Sequence, residues 1–442
     1  MSSQIQIVKE KLSQAISQLC ETSWMFAKDP ARNFTRERKL PLREVISVLL
    51  CMEGGSLTGE LLRYFGCSQH TASGSAFIQQ RQKINEFAFP SLFDLFVKNT
   101  DKDKFHKGYR LLAADGSDIQ IPTDPNCTDS YFPGSNGQTP YNLLHLDAVY
   151  DLLQHTYIDA AVCGRRKWNE KGVLCNMVDR SNIAKALVIA DRGYESYNLM
   201  AHVQEKGWKY LIRIKDIHSS GIACGLDLPD CDVFDVGIDL NLTTRQTKEV
   251  KKLCQNKNRY RFIPIDHAFD FLPRENRKHD PVLFYPLPFR IVRFKISDSA
   301  YETVVTNLGA EEFPPDELKR LYGMRWGIET SFRELKYTVG LLHFHAKKVE
   351  NITQEIFARL IMYNFAELIT SHVVIQKLNR KYPCKANFSV AVQVCRQFLL
   401  GNISPPDVEA TISRNVSVSR IGRSNPRNMV VKHAVSFLYR VA

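Results

Sequence analysis

The sequence YRLLAADGSDIQI, residues 109–121, marks the point at which strand-like runs replace helical periodicity. Similar runs rich in Leu, Ile, Val or Tyr follow at 143–150 and 157–162, which predicts three consecutive strands of an antiparallel meander. Helical segments then alternate with two more strand-like runs, at 186–190 and 209–214. The predicted order of elements in this part of the chain is therefore β-β-β-α-β-α-β.

This order predicts an α/β layer fold, in which a mixed sheet carries helices on both faces. It is the element order of a ribonuclease-H-like core. Residues 215–300 break into short alternating runs with many Pro, Asn and Asp residues, so we expect a β-rich insertion there. Strong helical periodicity returns over 312–336, with Pro314 and Pro315 near its start.

The charge of the chain favours a polyanionic partner. Lys and Arg outnumber Asp and Glu, 59 against 47, and residues 331–442 alone carry +10 of the net +12. A solubilising excess is the alternative interpretation, but such an excess is usually scattered along a chain. The concentration of positive charge in one region indicates contacts with phosphates.

With 442 residues, the chain is longer than a single hydrophobic core normally supports. The apolar spacing before residue 100 predicts a small helical domain, and most of the chain beyond residue 349 is again helical in pattern. The predicted units are a helical domain at 1–105, whose polar insertions rich in Gln, Ser and Arg suit DNA binding, the first part of the ribonuclease-H-like core at 106–214, the β-rich insertion at 215–300, the second part of the core at 301–348, and a helical, basic C-terminal region at 349–442.

Several protein classes are disfavoured by absent patterns. Eleven scattered cysteines without a CxxC pair argue against a zinc finger and suit a reducing compartment, so we expect a cytoplasmic protein. The N-terminal sequence does not have the pattern of a signal peptide, and no run is apolar enough to predict a membrane span. Neither a phosphate-binding loop nor a Rossmann glycine pattern occurs, so no nucleotide cofactor is expected.

Two carboxylates stand at strand positions where an unpaired charge is costly. Asp115 lies inside the first predicted strand, and Asp191 directly follows the buried run at 186–190. Each could instead serve a turn, because Asp followed by Gly or Arg-Gly is common at strand ends. A mixed sheet places its first strand beside its fourth, so the two acids could also meet at one edge.

A third acid lies on the helix predicted over 312–336. On a helical wheel, Tyr322, Arg325, Glu329 and Lys336 fall within an arc of about 60°, beside an apolar stripe suited to packing on a sheet. Taken alone, Arg and Glu four residues apart often form a solvated surface pair. A helix docked across the sheet would instead bring Glu329 to the two aspartates, and three such carboxylates favour Mg²⁺ or Mn²⁺.

The spacing of the helical motif resembles a known family. Tyr, two residues, Arg, three residues, Glu, six residues and Lys, here from Tyr322 to Lys336, is the signature of DDE transposases of the insertion sequence 4 type. Two further blocks are similar to that family: Asp-Gly-Ser at 115–117 and Asp-Arg-Gly-Tyr at 191–194. The resemblance covers residues 109 to about 348.

The resemblance implies a ribonuclease-H-like catalytic domain in which Asp115, Asp191 and Glu329 are catalytic and hold two Mg²⁺ ions, with Mn²⁺ as a substitute. It also implies a homodimer that binds double-stranded DNA at terminal inverted repeats, in the bacterial cytoplasm at the nucleoid. Such an enzyme cuts each end by metal-activated water, passes through hairpin ends, and joins the freed 3′ hydroxyls to target DNA. The implied function is cut-and-paste transposition.

The DNA contacts are expected from cationic and aromatic residues near these motifs. By resemblance, Tyr322, Arg325 and Lys336 grip the phosphate near the scissile bond, where Arg and Lys supply charge-assisted donors. Trp326 could stack on a base or pack inside the protein. A solvated helix face or a flexible basic tail is the alternative for the other candidates, which are Arg192, Arg81, Lys83, Arg420, Arg423 and Arg427.

Two rival functions are compatible with the same residues. A metal-dependent nuclease of the same fold would hydrolyse nucleic acid without joining ends. A DNA-binding protein derived from a transposase would bind the ends without chemistry, although three intact acids favour an enzyme.

Overall fold

In the computed structural model, the predicted core strands form a sheet that is surrounded by helices. The structure describes residues 2–36, 39–102, 104–134, 137, 139–217, 219–273, 281–297, 300–375 and 384–418. The strands are β1 (Arg110–Ile121), β2 (Tyr131–Phe132), β3 (Tyr141–Asp151), β4 (Thr156–Gly164), β5 (Ala186–Ala190), β6 (Lys209–Arg213), β7 (Phe234–Thr243), β8 (Tyr260–Phe262), β9 (Tyr285–Ser297), β10 (Ala300–Thr306), β11 (Cys384–Ala386) and β12 (Val416–Val418). The helices are α1 (Ser2–Glu21), α2 (Leu42–Cys51), α3 (Leu57–Tyr64), α4 (Gly74–Arg81), α5 (Ala88–Thr100), α6 (Glu170–Arg180), α7 (Tyr197–Glu205), α8 (Lys248–Leu253), α9 (Pro315–Met324), α10 (Trp326–Glu334), α11 (Val349–Thr370), α12 (Phe388–Leu399) and α13 (Pro405–Arg414).

The core sheet has the predicted ribonuclease-H-like topology. Strand β1 pairs antiparallel with β3 on one side and parallel with β5 on the other. Strand β4 adds antiparallel to β3, and β6 adds parallel to β5, which gives the order β4-β3-β1-β5-β6. The central position of β5 explains its composition, since all five of its residues, ALVIA, are buried. The predicted mixed sheet with three antiparallel and two parallel strands is confirmed.

The β-rich insertion continues the core sheet. Strand β10 pairs antiparallel with β6, and β9, β7 and β8 follow outward from it. The larger sheet thus has ten strands. Strand β10, which falls almost entirely in the predicted second part of the core, covers the edge of β6, whose unpaired backbone groups would otherwise be exposed, and the strands of the insertion lie beyond it.

Helices cover both faces of the sheet because β1 and β5 are buried on both sides. Leu112 and Ala114 belong to the core shared with α6 and α7, whereas Leu111 and Ala113 belong to the core shared with α9 and α10. This alternation follows from the strand period of two. The residue after Ala114 therefore points toward α9 and α10.

The helix that carries the Tyr-Arg-Glu-Lys motif is nearly continuous from α9 to α10. It begins with Pro315 in its first turn, where the missing N–H costs nothing. Beyond α10 it widens into a π-helical turn, Leu335–Val339, and ends at Gly340, whose φ of 97° is the left-handed conformation that glycine adopts readily. The predicted span of 312–336 therefore extends slightly further at its C-terminal end.

The N-terminal and C-terminal helices form one helical body. Helix α11 is buried along most of its length and packs against α1, α2, α5 and α12. Side chains from α1 to α5 share a hydrophobic core with side chains from α11 to α13. Among the described residues, no helix combines the length and apolar composition that crossing a bilayer requires. The predicted units at 1–105 and 349–442 are therefore packed together.

Candidate active site

The two aspartates lie at the same edge of the sheet. Ala114 of β1 pairs with Ala190 of β5, and Asp115 and Asp191 are the next residue along each chain segment. Because β1 and β5 are parallel, their C-terminal ends meet at one edge, and the backbone alone brings the two acids together. The side chain of Asp115 continues the alternation toward the α9 and α10 face, where it meets Arg325. Asp191 begins the turn after β5, and its carboxylate lies at the sheet edge near Glu170 of α6.

Each aspartate also makes the local turn contact that its sequence indicates. Asp115 Oδ1 accepts the N–H of Gly116 at 2.9 Å. Asp191 Oδ1 accepts the N–H of Gly193 at 2.7 Å and begins a short 3₁₀ turn. These contacts use one oxygen of each carboxylate, so the turn role and a ligand role are compatible.

Arg325 connects the third acid to the first. Its Nη2 lies 2.6 Å from Glu329 Oε1, and its Nη1 lies 3.9 Å from Asp115 Oδ2. The arginine is only 5% exposed, which excludes the solvated surface pair that the i, i+4 spacing also allowed. The buried Arg325 thus links Glu329 of α10 to Asp115 at the sheet edge.

The two other residues of the helical motif flank this arrangement. Tyr322 is buried, and its ring centroid lies 5.7 Å from the Arg325 guanidinium carbon. Lys336 Nζ donates to the backbone oxygen of Asp118 at 3.0 Å, at the far end of β1. The four motif residues therefore lie in a row beside the edge of the sheet that carries Asp115.

The electrostatics of the site call for additional positive charge. Burial raises the pKa of Asp115 to about 6, and the neighbouring carboxylates Asp191 and Glu329 add to this, against the Gly116 N–H and Arg325. Arg325 and Lys336 are the cations near the three acids in the described part of the chain, which leaves an excess of negative charge when all three acids are ionised. Carboxylate oxygens that gather in this way suit hard divalent cations such as Mg²⁺ or Mn²⁺.

Comparison with known proteins identifies the family. The family described as Transposase DDE domain matches residues 106–365, which is more than half of the chain. The chain belongs to the DDE transposases. Its match contains all three acids and the whole Tyr-Arg-Glu-Lys motif.

Curated relatives place this transposase in the insertion sequence 4 type. It is 22% identical over 376 residues to the transposase InsG for insertion sequence element IS4 of Escherichia coli (strain K12), which covers 82% of this chain and 73% of the relative. It is 23% identical over 359 residues to the transposase for insertion sequence element IS231B of Bacillus thuringiensis subsp. berliner, covering 74% and 72%. A solved piggyBac transposase synaptic complex with hairpin DNA is 9% identical, with a TM-score of 0.41 over 95% of this chain and 84% of that one. The transposase is thus an enzyme of DNA strand cleavage and strand transfer whose family uses divalent metal ions.

The predicted DNA contact of Arg81 requires a correction. The side chain is buried, and its Nη1 lies 2.7 Å from Glu355 Oε1 on α11. Its Nε donates to Gln354 Oε1 at 3.0 Å, and its Nη2 donates to the backbone oxygen of Asn351. Arg81 therefore connects α4 to α11, and its buried guanidinium is not accessible to a phosphate.

The other predicted DNA contacts are differently placed. Arg192 is exposed directly beside Asp191, and Lys83 is half-buried and donates to Gln80 Oε1 at 3.0 Å. Trp326, the first residue of α10 on the motif helix, is 56% exposed, so packing inside the protein does not account for it. The remaining candidates lie outside the described residues and are Arg420, Arg423 and Arg427.

One group of chemistry-bearing residues was missed by the sequence reasoning. His145 and Asp147 of β3 meet Glu170 of α6 beneath the sheet edge. His145 and Asp147 are polar residues at i and i+2 in a largely apolar strand, so both point to the same face of the sheet. This pattern is the feature of the sequence from which the pair could have been found. Glu170 carries no such signal, because it lies in an ordinary position in the first turn of a helix.

Proposed function

We propose that this transposase excises its own element and inserts it elsewhere by a cut-and-paste pathway. It acts as a homodimer at the nucleoid, binds terminal inverted repeats, cleaves the ends and joins them to target DNA. The observation that carries the proposal is the convergence of Asp115, Asp191 and Glu329, from three separate elements, at one edge of the sheet, where the buried Arg325 contacts Asp115 and Glu329.

The three acids would hold two Mg²⁺ ions, with Mn²⁺ as a substitute. A pair of such ions activates the attacking oxygen and stabilises the leaving oxygen of a phosphodiester. The side chains fit this role because their free oxygens are hard ligands, and burial disfavours the charged form of Asp115 without cations. Asp191 and Asp115 are fixed by their turn contacts, so little ordering is required when ions arrive.

The cationic residues of the motif would position the DNA strand. Arg325 is held between Glu329 and Asp115, so its guanidinium is oriented before a phosphate arrives. Lys336 reaches the end of β1, and its amine can exchange the Asp118 carbonyl for a phosphate oxygen. Arg192 projects from the turn after Asp191 and would contact the backbone beside the cleaved bond.

The chemistry is a series of phosphodiester exchanges. Water first attacks the phosphorus at the element end, and the P–O3′ bond breaks to leave a 3′ hydroxyl. That hydroxyl attacks the opposite strand to form a hairpin, a second water reopens the hairpin, and the 3′ hydroxyl then attacks target DNA. Each step forms one P–O bond and breaks another, so no nucleotide is consumed.

The test is a single-turnover assay on a labelled duplex that ends in the element's own inverted repeat. The products are separated on denaturing gels in Mg²⁺, in Mn²⁺ and in EDTA, with a supercoiled plasmid added as target. We expect nicking, then a hairpin that migrates as a double-length strand, then transfer of the labelled end into the plasmid.

The same assay separates the rival functions. Metal-dependent nicking without transfer to the plasmid would indicate a nuclease, and specific binding of the ends without cleavage would indicate a silent DNA-binding protein. Light scattering of the complex with one repeat end measures the assembly. A mass for two chains supports the dimer, and a mass for one chain contradicts it.

A further inference from the structure

A compact group of possible metal ligands lies on the sheet face opposite Asp115, and one member of the group, Glu170, lies near Asp191. His145 and Asp147 extend from β3, and Glu170 extends from the first turn of α6. One ligand atom from each of the three residues lies within 4.8 Å of the others. A metal with bonds of about 2.1 Å holds its ligands roughly 3.4 Å apart, so small side-chain rotations would complete the site.

The position of Gly116 separates this group from the catalytic site. A Cβ built on Gly116 would lie 2.2 Å from His145 Nε2 and 3.1 Å from Glu170 Oε1. Successive strand residues point to opposite faces, so Asp115 points away from the group while Gly116 faces it. The group therefore lies behind the strand that carries the first catalytic acid.

The histidine is oriented as a metal ligand would be. His145 Nδ1 lies 2.6 Å from Asp118 Oδ1, and Asp118 is itself paired with Arg165 Nε at 2.8 Å. A carboxylate on one ring nitrogen fixes the tautomer that leaves the other nitrogen free for a metal. That nitrogen, Nε2, is directed toward Asp147 and Glu170.

The carboxylate of Asp147 lacks a full set of partners. The residue is 3% exposed, and its Oδ1 accepts a long hydrogen bond from Trp168 Nε1 at 3.4 Å. Its Oδ2 is buried and has no hydrogen-bond partner within the described part of the chain. A buried carboxylate oxygen without a partner is costly and points to a ligand.

We infer that His145, Asp147 and Glu170 bind one divalent transition-metal ion, with Zn²⁺ preferred to Mg²⁺. An imidazole among the ligands favours Zn²⁺, whereas Mg²⁺ favours oxygen ligands alone. Three protein ligands leave one position for water, and the ion ties α6 to β3 behind the catalytic strand. The inference does not rest on the catalytic proposal, because none of its three ligands is one of the catalytic acids, although Glu170 lies near Asp191.

The competing arrangement has a proton in place of the metal. Burial lowers the pKa of His145, but hydrogen bonds to Asp118 and Asp147 outweigh it and raise the pKa to about 9. An imidazolium held between the two aspartates would then neutralise the group without any ion.

The experiment uses full-length protein in which two of the three catalytic acids are replaced by Asp191→Asn and Glu329→Gln, to weaken metal binding at the catalytic site. After dialysis against Zn²⁺, we expect one bound Zn²⁺ per chain and a higher melting temperature than in EDTA. Adding Glu170→Gln, which keeps the shape of the side chain, should weaken Zn²⁺ binding roughly 100-fold or more. Equal Zn²⁺ binding with and without Glu170→Gln would overturn the inference.

A second readout does not depend on the folding of the Glu170 variant. Co²⁺ added to the catalytic-ligand variant should give visible d–d absorption at one equivalent. It should also quench a component of tryptophan fluorescence that Trp168→Phe removes, because Trp168 lies 4.4 Å from the His145 ring. A featureless spectrum and unchanged Trp168 emission would mean that the imidazolium arrangement is correct.

Discussion

Two regions of this transposase bury charged side chains, and the two regions differ in how the buried charge is neutralised. In the helical body, Glu355 is fully buried, yet Arg81 contacts it at 2.7 Å and the N–H of His345 donates to it at 3.0 Å. At the catalytic edge, Asp115 and Glu329 share Arg325, Lys336 lies near Asp115, and among the described residues no ion pair to Asp191 is found. The first region is neutralised from within the chain, whereas the second requires cations from outside.

The difference appears in the pKa values of the two acids. For Glu355, burial alone would raise the pKa, but Arg81 and His345 lower it to about 2. For Asp115, burial raises the pKa to about 6 and the neighbouring acids add to it. A buried acid with a lowered pKa indicates a structural pair, and one with a raised pKa in a cleft indicates a functional site.

The strongest test of this contrast is Asp115→Asn. We expect single-turnover cleavage to fall about 10³-fold or more, because a metal ligand is lost while the shape is kept. The metal-free variant should be at least as stable as the wild type, since a repelled carboxylate is removed. Cleavage rates and urea denaturation curves measure the two effects, and a destabilised but active variant would contradict the contrast.

The opposite outcome is expected for Glu355→Gln. Removing one partner of a buried ion pair leaves Arg81 uncompensated, so the free energy of unfolding should fall by about 3 to 5 kcal/mol. The matched control is Glu350→Gln on the same helix, whose exposed pair with Lys28 should contribute less than about 1 kcal/mol. Equal effects of the two substitutions would mean that the pair in the helical body is not buried as described.

Gly116→Ala tests the close packing behind the catalytic strand. The new Cβ would overlap His145 Nε2, so we expect a loss of about 1 to 3 kcal/mol of stability. The control Gly309→Ala, in a position with open space, should change stability much less. Thermal unfolding of both variants in EDTA measures the difference, and a neutral Gly116→Ala would refute the packing.

The two acids also predict opposite pH dependences in EDTA. The folded chain binds the Asp115 proton more tightly than the unfolded chain, so this residue lowers stability as pH rises from about 4 to about 6. Glu355 contributes stability that is complete above about pH 4.5 and is lost as pH falls toward 2. Unfolding curves between pH 3 and 7 should lose the first slope in Asp115→Asn and the second in Glu355→Gln. If either slope of stability against pH persists in its variant, that slope arises from other ionisable residues and the assignment is wrong.

The smallest expected effect concerns the proposed DNA contact of Lys83. Replacing it with Gln should reduce the slope of log affinity against log salt by about 0.9, the amount for one phosphate contact. The overall fold should be unaffected, because the side chain is half-buried and its hydrogen bond within the described residues is a local one to Gln80. An unchanged salt slope in fluorescence anisotropy would remove Lys83 from the DNA surface.

Much of the fold followed from local patterns. The five core strands and the motif helix are marked by periodicity, and parallel pairing of β1 with β5 then brings Asp115 and Asp191 to one edge. The i, i+4 spacing of Arg325 and Glu329 placed them on one helix face, although only the structure shows that the pair is buried.

What the sequence did not show depends on distant partners. Arg81 has the composition of an exposed helical cation, and its partner Glu355 lies 274 residues away. The pairing of β10 with β6 likewise joins the insertion to the core through a contact that no local period encodes. His145, Asp147 and Glu170 meet only because β3 and α6 pack together.

The most direct test of the central claim is cleavage of a labelled inverted-repeat end by wild type and Glu329→Gln in Mg²⁺, Mn²⁺ and EDTA. The account predicts nicking by the wild type in either metal, none in EDTA, and loss of nicking in the variant despite unchanged binding of the end. Nicking that persists at the wild-type rate in Glu329→Gln, or in EDTA, would contradict the assignment of Asp115, Asp191 and Glu329 as the metal-binding catalytic acids.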